Sequence, residues 1–384
     1  MPQTTLQIHP ADDLIVALQN LPSGAPVQIG DRAITTADPI PAKHKLAARP
    51  FAKGDLVTQF GVTVGRATTA IPEGGLITRQ NLIHESATWS GTRGTHTWTP
   101  PDVSRWSKAT FQGFRRKIGP AGTANHWLVI PLVFCENRNL AVLRETLTRA
   151  LGYHRAHEYQ RFADRLVDML LHGDAREEIE AFMPDSAGFK APTPVFENLS
   201  GIKFLEHAMG CGGTRDDARA LCRLLAGYIC HPNVAGATIL SLGCQNAQVS
   251  LLEEELTAMR PDLDKPLLVF EQQKSFSERE MIARAMKGTF LGMADANEQT
   301  RQPCPISDLV MGVECGGSDG FSGISANPAI GHASDLLATL GGAPVLSEFP
   351  ELCGVEQSLC DRCVTDELAA KFTQLMRAYS DAAT

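Results

Sequence analysis

The chain has 384 residues, of which 43% are hydrophobic and 20% charged, which is the balance of a folded globular protein and not of a disordered one. Its formal net charge of -8 argues against general binding of nucleic acid or of an anionic membrane, because both partners need a basic surface. No apolar run approaches the roughly 20 residues of a membrane helix, and the start has no signal-peptide pattern. We therefore expect a cytoplasmic protein with reduced cysteines.

The first 86 residues contain short apolar stretches broken by Gly and Pro, such as Leu14 to Leu18, Val27 to Ile29 and Gly65 to Ala70. This pattern predicts a compact, mostly β domain over residues 1–86. The next stretch is rich in Ser, Thr, Gly, Pro and Trp and poor in aliphatic residues. We interpret residues 87–110 as a linker or arm.

From residue 111 onward, apolar runs alternate with amphipathic segments. The predicted strands are 127–134, 202–205, 237–242, 266–270, 309–313 and 343–346. The predicted helices include 140–151, 159–171, 215–228, 247–259, 277–294, 331–340 and 366–379. Repeated strand, helix and strand predict parallel strands with right-handed crossovers. The fold class is therefore α/β, with a doubly wound, largely parallel sheet over residues 111–384.

A polar turn follows each of the six predicted strands. These turns are 134–137, 206–213, 241–246, 271–273, 314–320 and 347–351. Because the carboxyl ends of parallel strands lie at one edge of a sheet, we expect the six turns to line one pocket for a small polar ligand. Glycine pairs let a backbone approach a ligand, amide and hydroxyl groups bind hydroxyls, and Glu can move protons.

Four cysteines fall within these turns, namely Cys135, Cys211, Cys244 and Cys315. Thiolates at equivalent positions are candidate metal ligands, although a single free Cys is more often a small buried hydrophobe. His207 lies in a turn too rich in glycine for a core helix, which makes it a candidate base or ligand. Cys360 and Cys363 lie on a predicted helix, and we interpret them as structural.

Several motifs are similar to those of one family. In the larger domain they are Gly210-Cys211, His231-Pro232-Asn233, Gly243-Cys244 and, most specifically, Glu314 to Gly320 with Ser322 to Pro328. Near the amino terminus they are His9-Pro10, Asp12-Asp13, His44-Lys45 and Phe60-Gly61. The first set resembles the altronate dehydratase and galactarate dehydratase family of sugar-acid hydro-lyases. The second set resembles the SAF (β-clip) domain that precedes the catalytic part in that family.

The resemblance implies dehydration of an aldonate or aldarate to a 2-keto-3-deoxy acid, assisted by Fe2+ or Mn2+. A metal on the carboxylate and the 2-hydroxyl would acidify the α-proton, while an acid protonates the departing 3-hydroxyl. By resemblance, the catalytic candidates are Glu314, His207 and Asp319. The substrate-binding candidates are Ser318, Ser322, Asn327, Asn137, Gln272, Gln273, Asn125 and His44, and the four turn cysteines are the metal candidates.

The sequence also departs from the family pattern. Residues 78–81 read Thr-Arg-Gln-Asn where the family has His-x-His-Asn, so two imidazoles are missing. The turn from Gly119 to Asn125 lacks both arginines that would bind a carboxylate, with Ala124 at one of these positions. The stretch of about 145–200 is longer than expected and is interpreted as a helical insertion for a partner. The family normally continues beyond the final helix of this sequence.

Three functions stay open at this point. The first is a hydro-lyase acting on a sugar acid, with the remaining portion supplied by another polypeptide or absent from this sequence. The second is a divergent paralogue that binds sugar acids as a partner subunit without dehydrating them. The third is a lyase that expels sulfite from a sulfonated hydroxy acid such as sulfolactate. We expect a homo-oligomer or a partner subunit in each case.

Overall fold

The computed structural model describes residues 4–30, 32–87, 89–154, 158–183, 193–314, 316 and 321–383. The chain divides into two compact units. Unit 1 comprises residues 1–107 and 310–384, and unit 2 comprises residues 108–309. The sequence analysis placed residues 310–384 in one domain with residues 111–309, whereas the compact units group residues 310–384 with the amino-terminal part.

The elements are as follows. The strands are β1 (Thr5–Leu6), β2 (Leu14–Ala17), β3 (Pro26–Ile29), β4 (Arg32–Thr35), β5 (Lys45–Ala47), β6 (Leu56–Gln59), β7 (Val62–Ala67), β8 (Leu76–Ile77), β9 (Leu82–His84), β10 (Thr110–Gly113), β11 (His126–Pro131), β12 (Gly201–Phe204), β13 (Val234–Ser241), β14 (Leu267–Glu271), β15 (Gln302–Pro305), β16 (Val310–Val313) and β17 (Ala343–Leu346). The helices are α1 (Asn137–Ala150), α2 (Glu158–His172), α3 (Arg176–Ala181), α4 (Arg215–Cys230), α5 (Val249–Met259), α6 (Glu278–Ala296), α7 (Ala326–Thr339), α8 (Glu356–Arg362) and α9 (Asp366–Ala383). Short 3-10 helices lie at Phe134–Glu136, Gln272–Lys274 and Ser322–Ile324, among others.

The amino-terminal part of unit 1 is built from antiparallel strands, in the sheets β1-β2-β5-β8, β6-β7-β9 and β3-β4. Leu14 pairs with Ala47, and Ile15 pairs with Leu46. Because successive side chains of a strand point to opposite faces, the first pair packs into one apolar cluster and the second pair into another. The predicted mostly β amino-terminal domain is confirmed.

The segment after this β part is fixed by hydrogen bonds to the carboxyl-terminal helices. Arg93 Nε lies 2.7 Å from Asp366 Oδ1, at the start of α9. The Gly94 amide donates to Asp361 Oδ1 (2.7 Å), and the Ser90 amide donates to Gln357 Oε1 (3.0 Å), both on α8. These contacts give a physical reason why residues 310–384 group with residues 1–107 and not with the parallel sheet of unit 2.

Unit 2 is an α/β unit with a four-stranded parallel sheet in the order β12-β11-β13-β14. Helices α4 and α5 contribute to the apolar cluster on one face, and α1 and α6 contribute to the cluster on the other. The chain leaves β11 for β12 on one side and then returns to β13 on the other side. The carboxyl ends of β11 and β13 lie at this reversal, which is the place where an open parallel sheet is expected to bind a ligand. We call this place the crevice.

The expectation of one sheet edge carrying all six polar turns is wrong. Four of the predicted strands form the unit 2 sheet, but β16 and β17 pair with each other in a separate parallel sheet in unit 1. Apolar runs identify strands but do not specify which strands pair, since pairing depends on contacts between distant residues. No helix among the described residues is both long and apolar enough to cross a membrane.

Trp127 is the largest fully buried side chain of unit 2, and two glycines make room for it. Its Nε1 donates to Thr238 Oγ1 (3.0 Å), which in turn lies 2.7 Å from Thr289 Oγ1. A Cβ atom at Gly292 would lie 2.3 Å from Trp127 Cη2, and one at Gly236 would lie 2.6 Å from Cζ3. The indole therefore fits only because both positions lack a side chain.

We expect Gly292→Ala to lower the free energy of unfolding by about 1–3 kcal/mol, because the added methyl group overpacks the site against Trp127. The matched control is Gly227→Ala on α4, where an added Cβ meets no atom within 4 Å. That change removes a helix-interior glycine and should stabilise by about 0.5–1 kcal/mol. Urea denaturation followed by fluorescence measures both variants, and equal shifts for the two would contradict this packing.

Candidate active site

Three loops meet at the carboxyl ends of β11 and β13. The Phe134 amide donates to Met209 O (2.9 Å), and the Ala247 amide donates to Gly210 O (3.0 Å). Asn246 Nδ2 donates to Cys211 O (2.8 Å). Gly210 (φ 103) approaches so closely that a Cβ there would lie 2.1 Å from Leu132 O. The loops after β11, β12 and β13 thus form one connected surface at the crevice.

His207 and Asn137 are brought together at this surface. Asn137 Nδ2 donates to His207 O at 2.8 Å. The His207 ring lies with Nε2 2.7 Å from Pro131 O, and Nδ1 accepts from the Met209 amide at 3.2 Å. A carbonyl on one ring nitrogen and an amide donor on the other require the neutral tautomer with the proton on Nε2. In this structure both ring nitrogens hold the loop, and a catalytic role for His207 stays a prediction.

Glu136, which the sequence did not single out, is a fully buried carboxyl group at the same edge. Its Oε2 accepts from Asn139 Nδ2 (2.9 Å), while Oε1 has no hydrogen-bond partner among the described residues. Burial raises the pKa of Glu136, the nearby Glu278 carboxylate raises it further, and the Asn139 hydrogen bond opposes the shift. An acidic residue at the start of a helix is ordinarily explained by the helix dipole, so nothing in the sequence marked this one as buried.

Gln273 also reaches this surface. The backbone amide of Gln273 donates to Leu242 O at 3.2 Å. Its side chain packs over Gly243, where a Cβ would lie 2.6 Å from Gln273 Oε1. Gln272 lies in the same 3-10 helix and is half-buried. The turn after β14 therefore joins the loop after β13, as expected for neighbouring parallel strands.

The predicted cysteine ligands do not assemble within the described part of the chain. Cys135, Cys211 and Cys244 are exposed, and no three His, Cys, Asp or Glu side chains among the described residues are placed so that they could hold a metal ion. Cys315 lies outside the described residues. The donors of the described residues therefore do not fit a divalent metal.

Asn125 lies at the opposite edge of the sheet, directly before β11. It is fully buried, and its Nδ2 donates to Asn198 O and Ala296 O, both at 3.2 Å. Its Oδ1 accepts from Arg116 Nη2 at 3.0 Å. The side-chain amide of Asn125 therefore connects the loops at the amino edge of the sheet. Asn125 lies at the edge opposite the crevice.

The remaining candidates belong to unit 1. Glu314 follows β16 and is exposed, and its carboxylate forms no hydrogen bond or ion pair with any described residue. Ser318 and Asp319 lie outside the described residues. Ser322 is half-buried in the 3-10 helix Ser322–Ile324, and Asn327 is exposed on the first turn of α7.

Two tips of the amino-terminal β domain contact the 3-10 helix segment. Lys43 Nζ lies 4.5 Å from the Phe321 ring centroid, and a Cβ at Gly323 would lie 3.3 Å from Phe60 Cζ. Lys43 (φ 72) and Phe60 (φ 59) both have the left-handed backbone that such residues rarely adopt. His44 follows Lys43 and lines a cleft beside it. His44 is therefore near the segment that carries Ser322.

Three protein-family models match successive parts of the chain. An altronate/galactarate dehydratase SAF domain matches residues 3–85, and the second domain of D-galactarate dehydratase/altronate hydrolase matches residues 113–297. The carboxyl-terminal part of D-galactarate/altronate dehydratase matches residues 306–384. Together, these matches show that the chain consists of a SAF domain followed by two parts of a dehydratase. The chain belongs to the altronate/galactarate dehydratase family, and the resemblance seen in the sequence is confirmed.

Curated relatives agree with this assignment. The chain is 28% identical over 377 residues to the altronate dehydratase of Bacillus subtilis, covering 97% of this chain and 65% of the relative. It is 28% identical over 379 residues to the altronate dehydratase of Escherichia coli, covering 98% of this chain and 66% of the relative. It is 29% identical over 205 residues to the (2R)-sulfolactate sulfo-lyase subunit beta of Chromohalobacter salexigens, covering 53% of this chain and 51% of the relative. The chain thus spans just under two thirds of the length of the altronate dehydratases that it matches.

The buried Glu136 carboxyl makes the stability of the protein depend on pH. A carboxyl whose pKa is raised by folding adds stability that is present at low pH and is lost as the pH rises through the folded-state pKa. Glu136→Gln keeps the acceptor for Asn139 but cannot ionise. We expect the variant to gain about 1–3 kcal/mol over the wild type near pH 8, with the difference disappearing near pH 4.

Chemical denaturation at a series of pH values measures this difference. The control is Glu253→Gln on α5, where the carboxylate is exposed and the change should leave the pH dependence as it is. A Glu136→Gln variant whose stability ran parallel to that of the wild type at every pH would show that the carboxyl is not buried as described.

Proposed function

We propose that this chain contributes to a hydro-lyase that dehydrates an altronate- or galactarate-like sugar acid to a 2-keto-3-deoxy acid. The observation that carries the proposal is the ordered match of the SAF, second and carboxyl-terminal parts of one dehydratase family over nearly the whole chain. The chain covers 65% of the length of the Bacillus subtilis relative, and the proposal extends to the activity of the whole protein.

The proposed reaction is an elimination of water followed by tautomerisation. A base removes the proton on C2, the C3–O bond breaks, and an acid protonates the departing hydroxyl so that it leaves as water. The resulting enol gains a proton at C3 and loses its hydroxyl proton at C2, which gives the 2-keto acid. Glu314 is the preferred base, because its exposed carboxylate has no described partner, whereas both ring nitrogens of His207 are already hydrogen-bonded. Asp319 stays a second catalytic candidate.

Within unit 2, the carboxyl edge of the parallel sheet carries side chains that suit the hydroxyl groups of a sugar acid. Asn137 and Gln273 lie at this edge with amide groups that can bind hydroxyls. Help from Fe2+ or Mn2+ stays a prediction of the family resemblance. Metal analysis of anaerobically purified protein tests it separately from the assay, since a preparation that takes up neither ion would contradict it.

Incubation of the anaerobically purified protein with Fe2+ or Mn2+ and either altronate or galactarate should yield a 2-keto-3-deoxy acid, measured as its semicarbazone. We expect Glu314→Gln to lower kcat by about 10²–10⁴-fold, the usual contribution of a positioned base. The matched control is Asp335→Asn, an exposed carboxylate on α7. Unchanged turnover of the Glu314→Gln variant would rule out this residue as the base.

A second function is favoured by one observation, the partial match to a sulfolactate sulfo-lyase subunit. Sulfite release from sulfolactate, without a keto-deoxy product from any sugar acid, would select it. A sugar acid that binds but is never turned over would instead select the non-catalytic partner subunit. Light scattering during size-exclusion chromatography measures the molar mass of the purified chain. A mass that is a multiple of the chain mass would support the expected homo-oligomer.

A further inference from the structure

The amino-terminal β domain contains an open cleft of about 570 Å³. It lies where β5 and β8 meet the β6–β7 hairpin, and its apolar wall includes Leu14, Ile77 and Leu82. Its volume is in the range of small-molecule sites, which typically combine an apolar wall with a few convergent polar groups. The polar groups of this cleft therefore decide what it can bind.

The charged groups of the cleft all have the same sign. Lys43, Lys45 and Arg79 line it, and no Asp or Glu belongs to its described lining. None of the three cations forms a salt bridge with any residue that the structure describes. In a chain with net charge -8, three cations gathered without counter-charges produce a local field that attracts an anion.

A buried amide donor without a hydrogen-bond partner in the described part of the chain also indicates a ligand that carries acceptor oxygens. Gln59 lines the cleft and is only 5% exposed, yet its Nε2 has no hydrogen-bond partner among the described residues. Leaving a buried donor unsatisfied costs about 1–3 kcal/mol. A ligand oxygen that reaches Nε2 from the cleft would remove this cost. This observation is independent of the positive charge and indicates the same kind of ligand.

The groups around the cleft are held in place by local hydrogen bonds. The Thr78 amide donates to Asn81 Oδ1 (2.8 Å), and Asn81 Nδ2 donates to Leu76 O (2.8 Å), which fixes the turn that presents Arg79. The Gly61 amide donates to the buried Asp12 at 2.9 Å, which fixes the hairpin turn directly after Gln59. Such pre-organised donors lose little conformational freedom when a ligand binds.

We propose that this cleft binds the carboxylate group of a small hydroxy acid. The guanidinium of Arg79 matches the two carboxylate oxygens in a planar fork, Lys45 supplies a point charge, and Gln59 Nε2 donates to a ligand oxygen. Arg79 is the cation of the turn Thr78-Arg79-Gln80-Asn81, whose other side chains are uncharged. The inference rests on the proposed function only for the choice of probe.

The test is isothermal titration of the full chain with galactarate and, in parallel, with galactitol, which has the same carbon chain without the carboxylates. We expect galactarate to bind, and each of Arg79→Gln and Gln59→Leu to weaken it by about tenfold or more, the effect of losing one charge-assisted or buried hydrogen bond. Galactitol should bind too weakly to measure. Lys53→Gln is the matched control, because it removes an exposed cation of the same domain outside the cleft.

The outcomes separate this site from the catalytic proposal. Since Gln59→Leu removes an unsatisfied donor, the variant should unfold at the same temperature as the wild type or higher, so lost binding cannot be attributed to unfolding. Unchanged affinity for galactarate in both variants would overturn the cleft, and turnover by the wild type would still support the hydro-lyase. Weaker galactarate binding by both variants, with no turnover by the wild type, would support the cleft and overturn the hydro-lyase. Equal binding of galactitol, or tighter binding of inorganic phosphate at the cleft, would overturn the assignment to a carboxylate.

Discussion

The central position of β11 is the constraint on which unit 2 depends. Five of its six residues are buried, and it pairs with β12 on one side and with β13 on the other. Such a strand must be apolar on both faces, because helices cover both sides of a parallel sheet. Since the chain leaves β11 in one direction and returns in the other, the carboxyl ends of β11 and β13 are the point at which the strand order reverses. Trp127, seated against Gly236 and Gly292, locks this strand to β13 and α6.

Polar groups with incomplete hydrogen bonding occur at both places where we infer ligand chemistry. At the crevice, Glu136 Oε1 and Asn137 Oδ1 are buried without a partner among the described residues, and in the cleft of the β domain the same holds for Gln59 Nε2. Each such group costs free energy that the rest of the fold must offset. Their charges differ, since the crevice offers acceptors and the cleft offers donors and cations. A hydroxyl suits the first environment, and a carboxylate suits the second.

Strained backbone marks the contact between the β domain and the 3-10 helix that follows the glycine-rich run. Lys43 and Phe60 hold positive φ values, and their side chains contact Phe321 and the position of Gly323. Residues keep such conformations only where their surroundings hold them, and functional sites are common among those places. The contact brings residues about 270 positions apart in the sequence to one end of the unit. It also explains why His44 and Ser322 could be named separately but not joined before the fold was known.

The sequence by itself predicted the strands of the parallel sheets, the family and the mostly β character of the first domain. Apolar runs such as 237–242 and 266–270 correspond closely to β13 and β14, because burial and periodicity are local properties. Only the tertiary structure decided that β16 and β17 form their own sheet, that Asn125 lies at the amino edge, and that Glu136 is buried. It also decided that Gln59, Lys45 and Arg79 line one cleft. These facts depend on which distant segments pack together, and no local pattern of residues specifies that choice.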